Sequence, residues 1–531
     1  MSALPQASAM SAWPRPAPPE AAGWLPPVLL GGGATLALAA QLVTGSGWWA
    51  VGVLTAAGVI GAAAMIPDAA PALALLGLLL VPEFETEQTL GLRLPWSHGL
   101  TLSNFLLPAL WACILLGCQC RPTPWRRPTL APPCKSWLLF LGWAALSLVP
   151  LAAMHAWSGQ AWATVLGHLA KLGGYVIAAA VSAAAFQTPA GRWKSLVVLL
   201  SGLAVNAGLA LAQRHGALPV FSPLARGGDT FAARATGTFY DANMFGSLLA
   251  FSLAPTLSLL ALPQLARRFR LGLAGIGTLL GGALLCTASR AGMLCFGVVL
   301  LAYALRGAWR PLLLGVLCAI GLGLALPLTP WQHAAAAWRT FVGSPASRLH
   351  PDDGTFRRLR SMQEGWHQFL AYPLLGQGFG HTLYLGVPAL GGRAFAGEVE
   401  PFHSADPGFS GAQNMGLTIL DELGPIGLFL FCRIWMVTLR GLRPTRTALP
   451  AETAVREGLR AGVWGLLAAS LTVELFYNAR LLALLLIVLS AWTPAESATG
   501  EPHPQTRRRN LTGGHAPWAQ ASIVPEVRHA L

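Results

Sequence analysis

Two arginines stand where an apolar sequence rarely puts them. Arg290 sits in Thr287-Ala288-Ser289-Arg290-Ala291, between two apolar stretches and with no acidic neighbour in sequence. Arg234 opens Arg234-Ala235-Thr236-Gly237-Thr238-Phe239-Tyr240-Asp241-Ala242-Asn243, directly before another apolar stretch. A guanidinium keeps its charge and offers a planar fork of donors that fits phosphate oxygens two at a time. Gly237 suits a tight turn, and Asp241 or Asn243 suits the cap of the helix that follows. The free N–H groups at that helix start add to an anion site. The chemistry favoured by these types and spacings is the holding of a phosphate-like anion. The plainer alternatives are an ion pair of Arg234 with Asp229 or Asp241, and a snorkelling Arg290 at a helix hairpin.

Such groups need a frame, and composition says which kind. The chain has 531 residues, of which 54% are apolar and 11% charged. A soluble chain carries about 25% charged residues, so a water-soluble fold lacks the polar surface to cover itself. Disordered, collagen-like and disulfide-scaffold classes fail on the same composition. The apolar runs start at 24–43, 48–66, 69–82 and 99–118 and end at 461–477 and 480–493. Most approach the length of a membrane helix, not the roughly ten-residue alternation of a barrel strand. The expected fold is all-α: a polytopic membrane bundle of about 14 transmembrane helices with a long external loop containing an amphipathic helix.

Charge placement orients this bundle. Lys and Arg outnumber Asp and Glu by 35 to 21, a net charge of +14. They gather in alternate connectors: Arg121 to Lys135, Arg192 and Lys194, Arg267 to Arg270, Arg306 and Arg310, Arg440 to Arg460, and Arg507–Arg509. Basic residues in short connectors set orientation, whereas a nucleic-acid binder clusters them on a water-exposed module; no nucleic-acid partner is expected. With about 14 spans these connectors share the cytoplasmic side. The expected domains are then a cytoplasmic segment 1–23, a transmembrane domain 24–493 and a cytoplasmic tail 494–531. Connectors 214–242, 287–291 and 330–413 fall outside. Few charges lie inside the apolar runs, Lys171 and Glu474 apart. Cys118, Cys120 and Cys134 have weak metal-ligand spacing and are read as packing, so no metal or cofactor is expected.

The 330–413 connector is long enough to carry function. Phe356, Leu359, Trp366, Phe369 and Leu370 keep a helical period that ends at Tyr372-Pro373. Arg357, Arg360, Glu364 and His367 line the other stripe. This reads as an amphipathic helix on the outer face of the bundle.

Four motifs in order resemble a family. Arg-x-Thr-Gly-Thr-Phe precedes an Asn at a helix start, and a Ser-Arg turn joins two helices. The Arg-rich helix ends in Tyr372-Pro373-Leu374-Leu375-Gly376-Gln377-Gly378-Phe379-Gly380. Gln413-Asn414 then leads into Leu420-Asp421-Glu422-Leu423-Gly424-Pro425. Over about 195–440 the chain resembles bacterial O-antigen ligases and O-antigen or exopolysaccharide polymerases.

The resemblance implies a glycosyltransferase at the outer face of the bacterial inner membrane. Its substrate would be a glycan on an undecaprenyl-diphosphate carrier, without nucleotide sugar, metal or cofactor. Membrane lipid and a chain-length regulator or other polysaccharide-assembly protein are the further partners implied. Arg234 and Arg290 match the family's arginines and would hold the diphosphate, with Arg357 or Arg358 as a third contact or a lipid-headgroup ligand. Ligases of this family have a histidine just before Asn414, where this chain has Gln413, which takes up no proton at neutral pH. His403 or Glu422 would then serve as acceptor base, with Gln413 and Asn414 orienting the acceptor. The substitution favours a polymerase over a ligase. An anionic lipid or polysaccharide exporter is the alternative from another class.

Overall fold

The computed structural model describes residues 70–80, 130–149, 159–215, 217, 234–239, 241–325, 354–380, 414–445, 448–473 and 475–493. These residues form α-helices and one 3-10 turn, Leu475–Tyr477, with no strand among them. In chain order the helices are α1 (Ala70–Leu80), α2 (Pro132–Leu146), α3 (Gly159–Ala185), α4 (Pro189–Arg214), α5 (Ala242–Leu260) and α6 (Arg267–Cys286). They continue as α7 (Arg290–Leu305), α8 (Trp309–Ala325), α9 (Gly354–Ala371), α10 (Met415–Gly441), α11 (Pro450–Ser470) and α12 (Ala479–Trp492).

Five described helical stretches are long and apolar enough to cross a membrane: Val165–Ala184, Pro189–Arg214, Ala242–Leu260, Arg267–Cys286 and Met415–Gly441. The all-helical class therefore holds, while the count of about 14 spans is not established. Arg290–Leu305 and Ala479–Trp492 are shorter apolar helices. The runs 24–43, 48–66 and 99–118, both terminal segments and most of the 330–413 connector lie outside the described residues.

Local sequence explains where several helices begin. Asp241, Ser289, Asn414 and Asn478 each accept a backbone N–H two or three residues on, from Asn243, Gly292, Leu417 and Leu481. A capping oxygen replaces one of the bonds that a helix start lacks. Pro189 and Pro450 begin α4 and α11, where a missing N–H costs nothing.

The middle of the bundle is α5, buried along nearly its whole length. Small residues let its neighbours approach closely. A Cβ on Gly458 of α11 would lie 2.4 Å from Cα of Pro255, and one on Gly292 of α7 would lie 2.8 Å from the carbonyl carbon of Gly246. Backbone contact of this kind is how apolar helices gain van der Waals energy when lipid supplies no hydrophobic drive.

The helices sort their ends into two sets. At one end Asn206 of α4, Arg480 of α12 and Thr238 all reach the carbonyl of Leu79 at the close of α1. Asn414 at the start of α10 donates to the carbonyl of Leu471, just after α11. At the opposite end Arg192 meets Glu452 at 2.9 Å, Arg456 reaches the carbonyl of Gly441, and Cys134 touches Ser490. Arg267, Arg306, Arg310, Arg440 and Arg443 therefore share that opposite end, at helix termini remote from Arg234 and Arg290.

Candidate functional site

The segment 234–239 is a turn held from three sides. Gly237 has φ +59°, a conformation in which a side chain would press on Asn206. Gln213 brackets it: Nε2 donates to the Gly237 carbonyl at 2.9 Å, and Oε1 accepts from the N–H groups of Thr236 and Gly237 at 3.2 and 2.9 Å. Asn206 Oδ1 accepts from the N–H of Thr238 at 3.0 Å. The Thr238 hydroxyl lies 2.7 Å from the Leu79 carbonyl and 2.8 Å from Asn206 Oδ1, with one proton to give between them.

This turn delivers Arg234 to the α6–α7 connection. Its Nε donates to the carbonyl of Thr287 at 3.0 Å, and Nη2 donates to Asn243 Oδ1 at 2.8 Å. The Ser289 hydroxyl donates to the same Asn243 oxygen at 3.1 Å while capping α7. The connection turns so sharply that Ala288 takes φ +47°, the one non-glycine residue with positive φ among those described. That conformation costs roughly 1–2 kcal/mol for an L-residue. Arg290, exposed, is the first residue of α7.

Burial pushes the Arg234 guanidinium below its ordinary value; the Asp241 carboxylate opposes this, and the positive charge of Arg290 adds to it. It remains charged, since arginine does not deprotonate in proteins. Two guanidinium groups are thus held in electrostatic reach of one another, at the N-terminus of a 16-residue helix. Like charges kept together at a partly dry site are a standing repulsion that a bound anion relieves. The helix start supplies partial positive charge in the same direction.

A second polar cluster joins α9 to α10. Gly424 breaks α10 with φ +65° and ψ −172°, and Pro425 offers no N–H. Three successive carbonyls, of Asp421, Glu422 and Leu423, accept from outside the helix. The N–H groups of Gln377 and Gly378 take the first two at 2.8 Å each, and Trp143 Nε1 takes the third at 3.0 Å. The segment after α9 thus lies along the broken turn of α10. Gly376 is pressed so close that a Cβ would sit 2.5 Å from the carbonyl carbon of Glu422.

Asp421 and Glu422 are both fully buried. Glu422 Oε2 accepts from the N–H of Gly380 at 3.0 Å, so one oxygen of this candidate base is committed to the loop. Asp421 Oδ1 accepts from Gln377 Nε2 at 3.2 Å, and its Oδ2 is buried without a hydrogen-bond partner among the described residues.

The expected amphipathic helix exists as α9 and packs against α10. Trp366 and Leu370 of its apolar stripe stay exposed, so that stripe is not spent wholly on the bundle. The side chains of Arg357 and Arg358 lie outside the described residues, as do His403 and Gln413. The structure therefore brings Arg234, Asn243, Thr287, Ser289 and Arg290 together, and places Glu422 in a separate cluster with Asp421 and Gln377. Asn414 caps α10 and is tied to Leu471.

Sequence reasoning overlooked four positions. Asn206, Gln213 and Trp143 are single polar groups on apolar helices and carry no motif. Arg480 is the clearest miss. The count of charges within apolar runs omitted it, although it opens α12 and is 2% exposed. Its position two residues after Asn478, a helix-cap residue, was the available signal.

Among the described residues no group of three His, Cys, Asp or Glu is placed to hold a metal. No curated protein matches the chain. Residues 275–432 match the family model described as O-antigen ligase. The matched stretch contains Arg290, α9 and the kink of α10, and leaves Arg234, α11 and α12 outside it. With several helices apolar and long enough to cross a membrane, the chain carries at its centre a stretch similar to the O-antigen ligase family.

Proposed function

We propose that the protein polymerises undecaprenyl-diphosphate-linked oligosaccharide units at the periplasmic face of the bacterial inner membrane. An acceptor hydroxyl attacks the anomeric carbon, the bond from that carbon to the diphosphate oxygen breaks, and undecaprenyl diphosphate leaves with the electron pair. The observation that carries this reading is the Arg234–Arg290 pair at the start of α7. Donors fixed where charge develops stabilise the departing diphosphate without reorganising. Arg357 and Arg358 on α9 are proposed as further anion or headgroup contacts.

Polymerisation is favoured over transfer to lipid A core by Gln413 in the place of the ligase histidine. Ligation is the second reading, supported by the description of the matched family. Reconstitution separates them. Proteoliposomes given only lipid-linked repeat units are expected to yield longer glycan and free undecaprenyl diphosphate, with no nucleotide sugar added. Product formed only when a lipid A core acceptor is supplied would replace the polymerase by a ligase. Absence of product in both assays would sink the transferase reading.

The same assay locates the base. A positioned base contributes about 10²–10⁴-fold, and Gln413 contributes hydrogen bonding alone, so Gln413→Ala weakens transfer only modestly. If His403 is the base, activity rises between about pH 6 and 7 and is lost in His403→Ala. If the base is Glu422, Glu422→Gln is the damaging change and His403→Ala leaves transfer nearly intact. Full rates in both variants would remove side-chain base catalysis.

The mechanism also fixes an orientation. Reporters fused after Arg310 and after Arg446 are expected in the cytoplasm, and one near Gly354 outside. A cytoplasmic signal at Gly354 would take α9 away from the proposed active face.

A further inference from the structure

The α12 arginine is placed to govern the anion site without touching it. Arg480 is almost wholly buried, and its guanidinium spans three elements. Nε donates to the carbonyl of Leu78, and Nη2 donates to that of Leu79 at 3.0 Å. Nη1 donates to the carbonyl of Thr238 at 3.1 Å, and Nη2 also reaches the Thr238 hydroxyl at 3.1 Å. The guanidinium carbon lies 4.2 Å from the centre of the Phe239 ring. The last carbonyls of α1 have no partners within their own helix, and Thr238 and Phe239 close the turn that begins at Arg234.

Burying a guanidinium is expensive, and apolar residues of similar volume usually pack as well or better. Filling space therefore does not explain an arginine here. What arginine adds is a rigid fork of five donors, used at this point to clamp the end of α1 to the 236–239 turn.

The turn belongs to no helix. Besides Arg480 it is held by the neutral amides of Asn206 and Gln213, by the Thr238 hydroxyl on the Leu79 carbonyl, and on its Arg234 side by the ties to Cys286, Thr287 and Asn243. Arg480 supplies the one charged clamp at its far end. Its first residue, Arg234, projects to Thr287 and Asn243 beside Arg290. A donor that must meet a transferring group loses its effect when displaced by about an ångström.

We infer that Arg480 is a positioning residue for the anion site: by clamping the Thr238–Phe239 turn to the end of α1, it sets the place of Arg234. The inference rests on the proposed transferase reading for its consequence in activity, but its structural part is testable without any reaction.

Amide exchange on the purified protein in lipid nanodiscs reads that part directly. The N–H groups of 235–239 are all hydrogen-bonded: Ala235 to the Cys286 carbonyl, Thr236 and Gly237 to Gln213, Thr238 to Asn206, and Phe239 to the Thr236 carbonyl. In Arg480→Lys, which keeps the charge and loses the fork, exchange at 235–239 is expected to rise about ten-fold or more, with α5 and α7 unchanged. Unchanged exchange there would overturn the inference.

The activity arm uses a cycle with Arg234→Lys. If Arg480 acts through Arg234, Arg480→Lys lowers transfer by about ten-fold in the native background and adds almost nothing once Arg234 is changed. Losses that multiply would show that Arg480 supports the fold only, and would overturn the inference as well. Should Arg480→Lys fail to accumulate, Thr238→Val removes the hydroxyl acceptor and leaves Arg480 in place. Local loss of protection over 235–239 is again expected, and full protection with full activity would refute the role. If the native protein transfers no glycan at all, the transferase reading fails while the exchange result still decides the clamp.

Discussion

Arg290→Ala is expected to lower glycan transfer by about 30- to 1,000-fold without changing how much protein the membrane holds. The figure follows from losing a charged hydrogen-bond donor at a developing diphosphate, about 2–4 kcal/mol, converted to rate. Protein level should hold because Arg290 is exposed at the first position of α7, where Ser289 rather than Arg290 supplies the cap. Substitutions at such surface positions shift stability by about 0.5 kcal/mol or less. Arg234→Ala should cost at least as much activity. It also breaks the bonds to Thr287 and Asn243 that tie the 234–239 turn to the α6–α7 connection, so some loss of stability accompanies it. Lysine at either position restores part of the rate, because a point charge does not reproduce the fork. The measurements are product glycan, accumulated lipid-linked precursor and membrane protein level. Full transfer in both alanine variants would remove the anion site from the mechanism.

The largest stability effect belongs to Gly424→Ala. Gly424 takes φ +65° in the middle of α10, and a Cβ there would meet the Leu374 carbonyl oxygen at 2.5 Å. The neighbour is backbone and does not rotate aside. Strained backbone costs about 1–3 kcal/mol and overpacking about as much again. Together they approach the roughly 5–15 kcal/mol that typically holds a folded domain. Folded protein in the membrane should fall severely, with a lowered melting temperature in detergent for what remains. Gly297→Ala in α7 is the matched control. No heavy atom lies within 4 Å of its added methyl, and helix propensity favours alanine by about 1 kcal/mol. Equal behaviour of the two variants would mean that the α10 kink is not held as described.

The helical class was legible because it depends on composition and run length, which any window of sequence contains. The likeness to the O-antigen ligase family over 275–432 was legible because the motifs that carry it are local: Ser289-Arg290, the Gly376–Gly380 run and Asp421–Pro425 each lie within a few residues. Arg234 and Arg290 were expected to act on one anion, and the structure has the charge of Arg290 acting on Arg234. What sequence did not offer was the partner of each isolated polar group. Gln213 looks like one amide on an apolar helix until the turn at Gly237 is set against it. Glu422 has the residue type of a base, yet its tie to Gly380 emerges only when α9 and α10 are packed. Arg480 escaped because a charge at the edge of an apolar run reads as the boundary of that run. Long-range pairing, separated by 242 residues between Arg480 and Thr238, leaves no local pattern.

The borrowed bonds of α10 also bear on how the protein assembles. A carbonyl left open in hydrocarbon costs several kcal/mol, and at the Gly424 break α10 has three in a row that accept from outside the helix. Its upper turns are therefore poorly suited to lipid as an isolated helix. They become suited to it once Gln377 and Gly378 have been laid against them and Trp143 of α2 has arrived. Chain order helps, because both partners are synthesised before α10 and so can be waiting for it. Completion of this helix is then a docking event rather than a simple insertion, and an internal deletion of residues 373–379 would leave an otherwise intact α10 without a stable seat in the membrane.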